Sequence, residues 1–415
     1  MQFTQQGQAT SGHADRSGRW YLLVLLLFAV ALGCYQQGEM PMLLVMIYEQ
    51  LTLSVADIGF VIFSFNLASI AGFLLMAVFI WQEKGWAGYA VLGILGVLGA
   101  LLTGISIGAG GLVVARGITG LAYGGLLVGA YRIVGGWLPP ESHGLATGLL
   151  FAVTQSMRVI AGLITATAIE HVGWRWCSRI VAGLWFLWVL LWILRLGRRG
   201  DTLRCEQPRG LVTLAQMFKD RVTWVVVVGV ALASPLLSFQ SGRLLGHLSK
   251  LAKAAGPAAV REFALMYLLP VMGAVAAGLI SDTLIRKGWS AAKSRTLLVT
   301  ICGLLMAFPA LFAFSRNPVS HRLFAILTVT AGQSLFALLY AALVDAVPGR
   351  GIVVGVGLSG WLGGLVGNVA NIMSEPVTRR WGSGPLIIGF SILTVIAIIR
   401  VRPLTRKMPG ELKPA

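Results

Sequence analysis

The chain has 415 residues, 57% of them hydrophobic and only 12% charged, and a mean hydropathy of +0.81. These values lie far outside the range of soluble globular domains and describe an integral membrane protein with no soluble domain of useful size. In a soluble chain the net charge of +18 would raise nucleic acid as a partner; here the basic residues concentrate in tails and loops, which makes them topology signals and excludes nucleic acid as the expected partner.

In chain order, a polar tail over residues 1–19 leads into an apolar run too long for a signal h-region and without a small-residue cleavage site, so the run is expected to be a retained first helix. Apolar runs of about 20 residues then recur and predict twelve membrane-spanning helices, a polytopic all-α membrane protein. The expected spans are 20–45, 57–81, 87–107, 111–138, 144–170, 175–196, 222–246, 260–281, 294–314, 322–346, 351–374 and 384–401. An even number returns both termini to one face. About 20 of the Lys and Arg residues fall on that face against about 10 on the other, which assigns it to the cytoplasm.

Between the sixth and seventh helices lies a basic linker, residues 197–221, the expected boundary between a six-helix half at 20–196 and a second at 222–402, with a cytoplasmic tail at 403–415. An internal repeat supports two halves. Lys84-Gly85-Trp86 follows the second helix and Lys287-Gly288-Trp289 the eighth, an offset of about 203 residues of the kind parallel repeats produce. The turns from Pro139 to Gly144 and from Pro348 to Gly351 keep nearly the same spacing.

Charge inside these helices is scarce and therefore informative. Arg116, Arg132 and Arg158 stand in membrane-length segments, where a guanidinium costs about 2.5–3.5 kcal/mol and needs a partner, a wet cavity or a function. At 1.5 Å per residue, Glu39 and Arg116 fall in the outer half of the bilayer, Arg158 near the middle, and Arg132 about 24 Å from Arg116 along one helix, where snorkelling or gating suits it better than binding. Glu39 is the one acid in the middle of the N-terminal half; it is either a proton carrier or a fixed partner of Arg116, and Arg116 is either an anion ligand or an arginine satisfied by helix carbonyls. Asp282 and Arg286 sit on an expected cytoplasmic turn, where a carboxylate at a helix end can bridge to a neighbouring helix and lock one access state. Asp345 and Glu375 are expected at opposite interfaces.

Tyr35, Gln36, Gln37, Tyr123 and Gln155 supply polar groups able to orient a ligand, with Trp361 and Asn368 as further candidates. Cys34, Cys177, Cys205 and Cys302 are scattered, with no CxxC pair or His cluster, so neither a metal site nor a disulfide framework is expected. No Walker, Rossmann, metal or nucleophile motif stands in its required context, so neither an enzyme nor a cofactor is expected.

Six-plus-six topology with a basic central loop resembles the major facilitator superfamily. The run from Gly278 through Asp282 and Arg286 to Trp289 resembles that superfamily's loop signature in the form used by the anion:cation symporter family. Gly173-Trp174-Arg175-Trp176 and Trp137-Leu138-Pro139-Pro140-Glu141 are similar to further stretches of it. In that family the first helix resembles Asn-Tyr-x-Asp-Arg, whose acid helps carry a coupled proton and whose arginine helps hold the anion. Here the run is Cys34-Tyr35-Gln36-Gln37-Gly38-Glu39: Tyr35 matches, Gln37 replaces the acid, Gly38 replaces the arginine and Glu39 is shifted. Arg116 and Arg132 match family arginines, whereas Tyr123 stands where a second acid is expected. Gln155 matches a substrate-side glutamine, and Arg158 stands where relatives carry glycine. In the turn after the second helix only Glu83 and Lys84 remain of the loop signature.

The resemblance implies a secondary transporter, monomeric, in a bacterial inner membrane, with both termini cytoplasmic. It would move a small organic anion of carboxylate or sugar-acid type by alternating access, with a proton as candidate co-substrate. The expected roles are substrate binding for Arg116, Arg158, Tyr35, Gln37, Tyr123 and Gln155, proton coupling for Glu39, and gating for Asp282, Arg286 and Arg132. The alternatives are a drug or metabolite exporter, against which the arginines argue, and a non-transporting ligand sensor, which would carry a cytoplasmic domain.

Overall fold

A computed structural model describes residues 6–81, 85–196, 221–252, 257–315, 317–347 and 350–401. Among them the secondary structure is helical. The elements are α1 (Gln6–Gln50), α2 (Val55–Trp81), α3 (Gly85–Ile105), α4 (Ala109–Trp137), α5 (Pro140–Val172), α6 (Trp174–Leu196), α7 (Arg221–Ala252), α8 (Pro257–Arg286), α9 (Ala291–Ala307), a 3₁₀ turn at Phe308–Phe312, α10 (Pro318–Ala346), α11 (Arg350–Trp381) and α12 (Gly384–Val401). Each of the twelve expected helices is present. Ten are long and apolar enough to cross a membrane, and α2 and α12 carry shorter apolar stretches, 56–72 and 384–400. The linker, the C-terminal tail, Cys205 and the Glu83-Lys84 pair lie outside the described residues.

The turns follow local chemistry. Gly173, Gly288 and Gly382 adopt positive φ, the left-handed conformation that ends helices at low cost only for glycine. At the Lys287-Gly288-Trp289 turn the Trp289 amide donates back to the Leu284 carbonyl at 3.1 Å, closing α8. Ser290 then caps α9 by accepting from the Lys293 amide.

Backbone proximity groups the helices into two units. One holds α1–α4, α6 and α5 from Met157; the other holds α5 up to Ser156 and α7–α12. The dividing point runs within α5.

In the first unit, α2 and α4 pack backbone to backbone. A Cβ at Gly124 would fall 1.9 Å from the Ser69 carbonyl oxygen and one at Gly120 2.3 Å from that of Phe65, so this stripe of small residues is what lets α2 deliver Phe65 into the interior. On α6, Trp185, Trp188 and Trp192 recur at helical spacing and are fully buried, Trp188 stacking on Trp192 with ring centroids 5.3 Å apart. Gly93 and Gly96 of α3 make room for them, since a Cβ at either would meet an indole ring within 2.7 Å. Each buried indole nitrogen needs an acceptor, and Trp188 finds the Leu25 carbonyl at 2.7 Å.

In the second unit α10 is the most buried helix, with 72% of its apolar window inside. The first half of α5 packs here: a Cβ at Gly148 would fall 2.6 Å from the Ala274 carbonyl of α8, and Phe151 stacks on Tyr340 of α10 at 5.4 Å.

Candidate functional site

In the first unit Arg116 of α4 reaches both α1 and α2. Arg116 is 4% exposed. Its Nη1 donates to the Gln36 carbonyl oxygen at 2.7 Å, and its guanidinium lies over the Phe65 ring, 4.5 Å from the centroid, a stabilising cation–π arrangement. Gln36 is held in turn, its Oε1 accepting from Trp185 Nε1 at 2.8 Å. Gln36, expected among ligand-orienting groups, is therefore committed to the protein interior at 2% exposure.

One helical turn beyond Gln36 stands Glu39, also buried. Its Oε2 accepts no hydrogen bond, and Arg116 Nε donates none. The two charges act on one another, but no direct bond between them occurs among the described residues. A buried carboxylate oxygen and a buried guanidinium nitrogen without partners are costly, and both lie in the constellation where sequence placed the ligand.

Arg158 differs from Arg116 in being exposed. Its Nη2 donates to the Tyr123 hydroxyl at 3.4 Å, and Tyr123 stacks on Phe65 at 5.6 Å, with 25° between the planes. The two arginines are thus joined through a pair of stacked rings, Arg116 over Phe65 and Arg158 at the edge of Tyr123.

Behind Arg158 the backbones of α1 and α5 touch. A Cβ at Gly38 would fall 2.3 Å from the Arg158 carbonyl oxygen and 2.6 Å from its Cα. Position 38 on α1 therefore admits no side chain, and the α5 residue packed against it carries a guanidinium.

The remaining expected residues are dispersed. The Tyr35 hydroxyl pairs with Thr165 Oγ1 at 2.9 Å. Gln37 is half-buried with Oε1 buried and unpartnered, and Arg132 is half-buried with Nε in the same condition. Gln155 is half-buried and groups with the second unit.

Asp282 and Arg286, the residues expected to gate, have different partners. Arg286 is exposed, and its Nη2 donates to the Glu141 backbone carbonyl at 3.3 Å. Asp282 is fully buried and its partner is Arg295, Nη1 to Oδ1 at 2.8 Å. Asp282 also accepts the Gly144 amide at 3.0 Å and the Leu145 amide at 2.7 Å, and so caps the start of α5. Arg295 further donates through Nε to Asp345 at 3.0 Å and through Nη2 to the Pro140 carbonyl at 3.1 Å. Asp345, expected at an interface, has a side chain only 3% exposed and also meets His143. Glu375, by contrast, is exposed beside Arg379.

Phe65, Trp185, Arg295 and His143 escaped the sequence reading. Arg295 opens the expected ninth span and so resembles an interfacial anchor; nothing local says that Asp282 returns to it across a tight turn. Phe65 and Trp185 look like ordinary core aromatics. Among the described residues no cluster of His, Cys, Asp and Glu could hold a metal ion, and Cys34, Cys177 and Cys302 are free thiols.

Comparison with known proteins adds three findings. Residues 23–370 match the family model described as Major Facilitator Superfamily. The chain is 21% identical over 408 residues to the hexuronate transporter of Escherichia coli, covering 92% of each chain, and 22% identical over 417 residues to the D-galactonate transporter of another Escherichia coli strain, covering 92% of this chain and 94% of that one. The fold is similar to that of the proton:xylose symporter XylE, with a TM-score of 0.71, 15% identity and coverage of 94% of this chain and 96% of that one.

Proposed function

Since the chain belongs to the Major Facilitator Superfamily, we propose that it is a secondary transporter that moves a small organic anion of the sugar-acid type across a bacterial inner membrane by alternating access. The observation that carries this reading is Arg158: an exposed guanidinium at membrane depth, backed by the glycine at position 38. A planar, permanently charged group able to form two parallel bonds suits a carboxylate. The relatives transport hexuronate and D-galactonate, both carboxylates.

Arg158 makes the contact with the substrate carboxylate, and Arg116, placed over Phe65, supplies a second positive charge. Tyr123 fixes the Arg158 head, while Tyr35 and Gln37 of α1 and Gln155, three residues before Arg158 on α5, orient the hydroxyl groups. Glu39 is the proton-coupling residue, its unpartnered oxygen being the acceptor. Asp282 holds the gate at the start of α5, with Arg286 and Arg132 as further gating residues.

The test is thermal stabilisation of the purified protein by galactonate and glucuronate against the matching neutral sugars. Stabilisation by the acids alone, lost in Arg158→Ala, is expected; equal stabilisation by neutral sugars, or none by any acid, removes the reading. Coupling is tested in proteoliposomes: accumulation driven by a pH gradient is expected to vanish in Glu39→Gln, and unchanged accumulation removes Glu39 from that role.

A further inference from the structure

The start of α5 sits in more charge than capping requires. Asp282 and Asp345 are two carboxylates with side chains 0% and 3% exposed, and Arg295, 1% exposed, is bonded to both. With all three ionised the cluster carries one net negative charge, a costly state for groups removed from water. His143, 4% exposed, brings Nδ1 to 2.5 Å from Asp345 Oδ1.

Among the described residues, the elements packed here contribute these ionisable groups. From α8 come Asp282 and the exposed Arg286, from α9 Arg295, from α10 Asp345, and from α5 itself His143 and Glu141, whose carbonyl takes the Arg286 donor. The start of α5 offsets part of the charge on Asp282, because the Gly144 and Leu145 amides point at its two oxygens and a helix N-terminus carries about half an elementary positive charge. The remaining deficit rests on Asp345, and His143 is the titratable group that faces it. Bare backbone makes this approach possible: a Cβ at Gly144 would fall 2.4 Å from Arg295 Nη1, and one at Gly278 would fall 2.1 Å from the Gly144 carbonyl.

We propose that His143, Asp345, Arg295 and Asp282 form a proton-binding site, separate from Glu39, that fastens the start of α5 when it holds one proton and loosens it when empty. Its ligand is the proton of the compartment facing the 138–144 turn, the side expected to be cytoplasmic. Occupied, the cluster is neutral and every carboxylate oxygen named above has a donor. Empty, His143 retains only the weaker attraction of a neutral ring, and the surplus charge on Asp345 competes with Asp282 for Arg295. The site therefore ties departure of α5 from α8–α10 to the pH on that side, independently of what the transporter carries.

Hydrogen exchange of the purified full-length protein in detergent tests this without a substrate. After correction for intrinsic chemistry, the Gly144 and Leu145 amides are expected to exchange at least about five-fold more slowly at pH 5.5 than at pH 8. His143→Gln should exchange fast at both values, because glutamine keeps a hydrogen bond but takes no proton. Asp345→Asn, which removes the surplus charge, should also lose the pH dependence. A wild-type ratio near one overturns the proposal whether or not either variant folds, and so does a pH dependence that survives in either folded variant.

Discussion

The backbone of Arg158 lies against Gly38 so closely that no β-carbon fits between them. At this contact a guanidinium can therefore be carried by α5 and not by α1. An arginine at position 38 would collide with main-chain atoms that cannot rotate away, whereas the α5 residue at the contact carries its guanidinium outward without obstruction.

Gly38→Ala is expected to destabilise the protein by about 1–3 kcal/mol, as overpacking does. Because the obstruction is the Arg158 carbonyl oxygen and Cα, adding Arg158→Ala should not relieve it. Chemical or thermal unfolding of the two single variants and the double variant checks this: near-additive losses are expected, and recovery in the double variant would show that the side chain, not the backbone, fills the space.

Arg116→Ala and Arg158→Ala should differ in kind. Arg116 is buried, bonded to the Gln36 carbonyl and placed over Phe65, and its removal leaves that buried carbonyl without its donor, at a cost of about 1–3 kcal/mol. Arg158 is exposed, so its truncation should change stability by no more than about 0.5 kcal/mol while weakening sugar-acid binding at least about ten-fold. Unfolding and ligand titration on the same preparations separate the two effects.

Trp185→Phe keeps the ring and removes the donor that reaches Gln36 Oε1 at 2.8 Å. A buried amide oxygen left without a donor costs about 1–3 kcal/mol. Since Gln36 also presents the carbonyl that holds Arg116, anion affinity should fall together with stability. A variant that loses stability but binds the sugar acid with unchanged affinity would show that Arg116 is held without Gln36.

Asp282→Asn should be milder than Asp282→Ala. Asparagine retains an acceptor for one of the two amides at the start of α5, whereas alanine leaves both amides and the Arg295 guanidinium unanswered, a loss of about 3–5 kcal/mol for the buried pair alone. Thermal unfolding ranks the two, and in the alanine variant exchange at Gly144 and Leu145 should be fast at every pH.

By itself the sequence determined the membrane class and the twelve helices, because run length against bilayer thickness is a local property that survives whatever the helices pack on; the bounds were less legible, since α1 already begins at Gln6 and α11 runs on to Trp381. It also marked Arg116, Arg158 and Asp282 as residues with work to do, since charge in an apolar segment is conspicuous without any knowledge of its neighbours. Tertiary structure alone decided who those neighbours are. That Asp282 turns to Arg295 and not to Arg286, that Asp345 is buried against His143, and that Gln36 is consumed by Trp185 depend on which helix faces meet. Around Asp282 and Arg295 the approach is set by Gly144 and Gly278, and around Trp185 by Gly96, positions where only a missing β-carbon leaves the space. Side-chain absence at one position cannot announce, along the chain, which distant backbone will occupy the space.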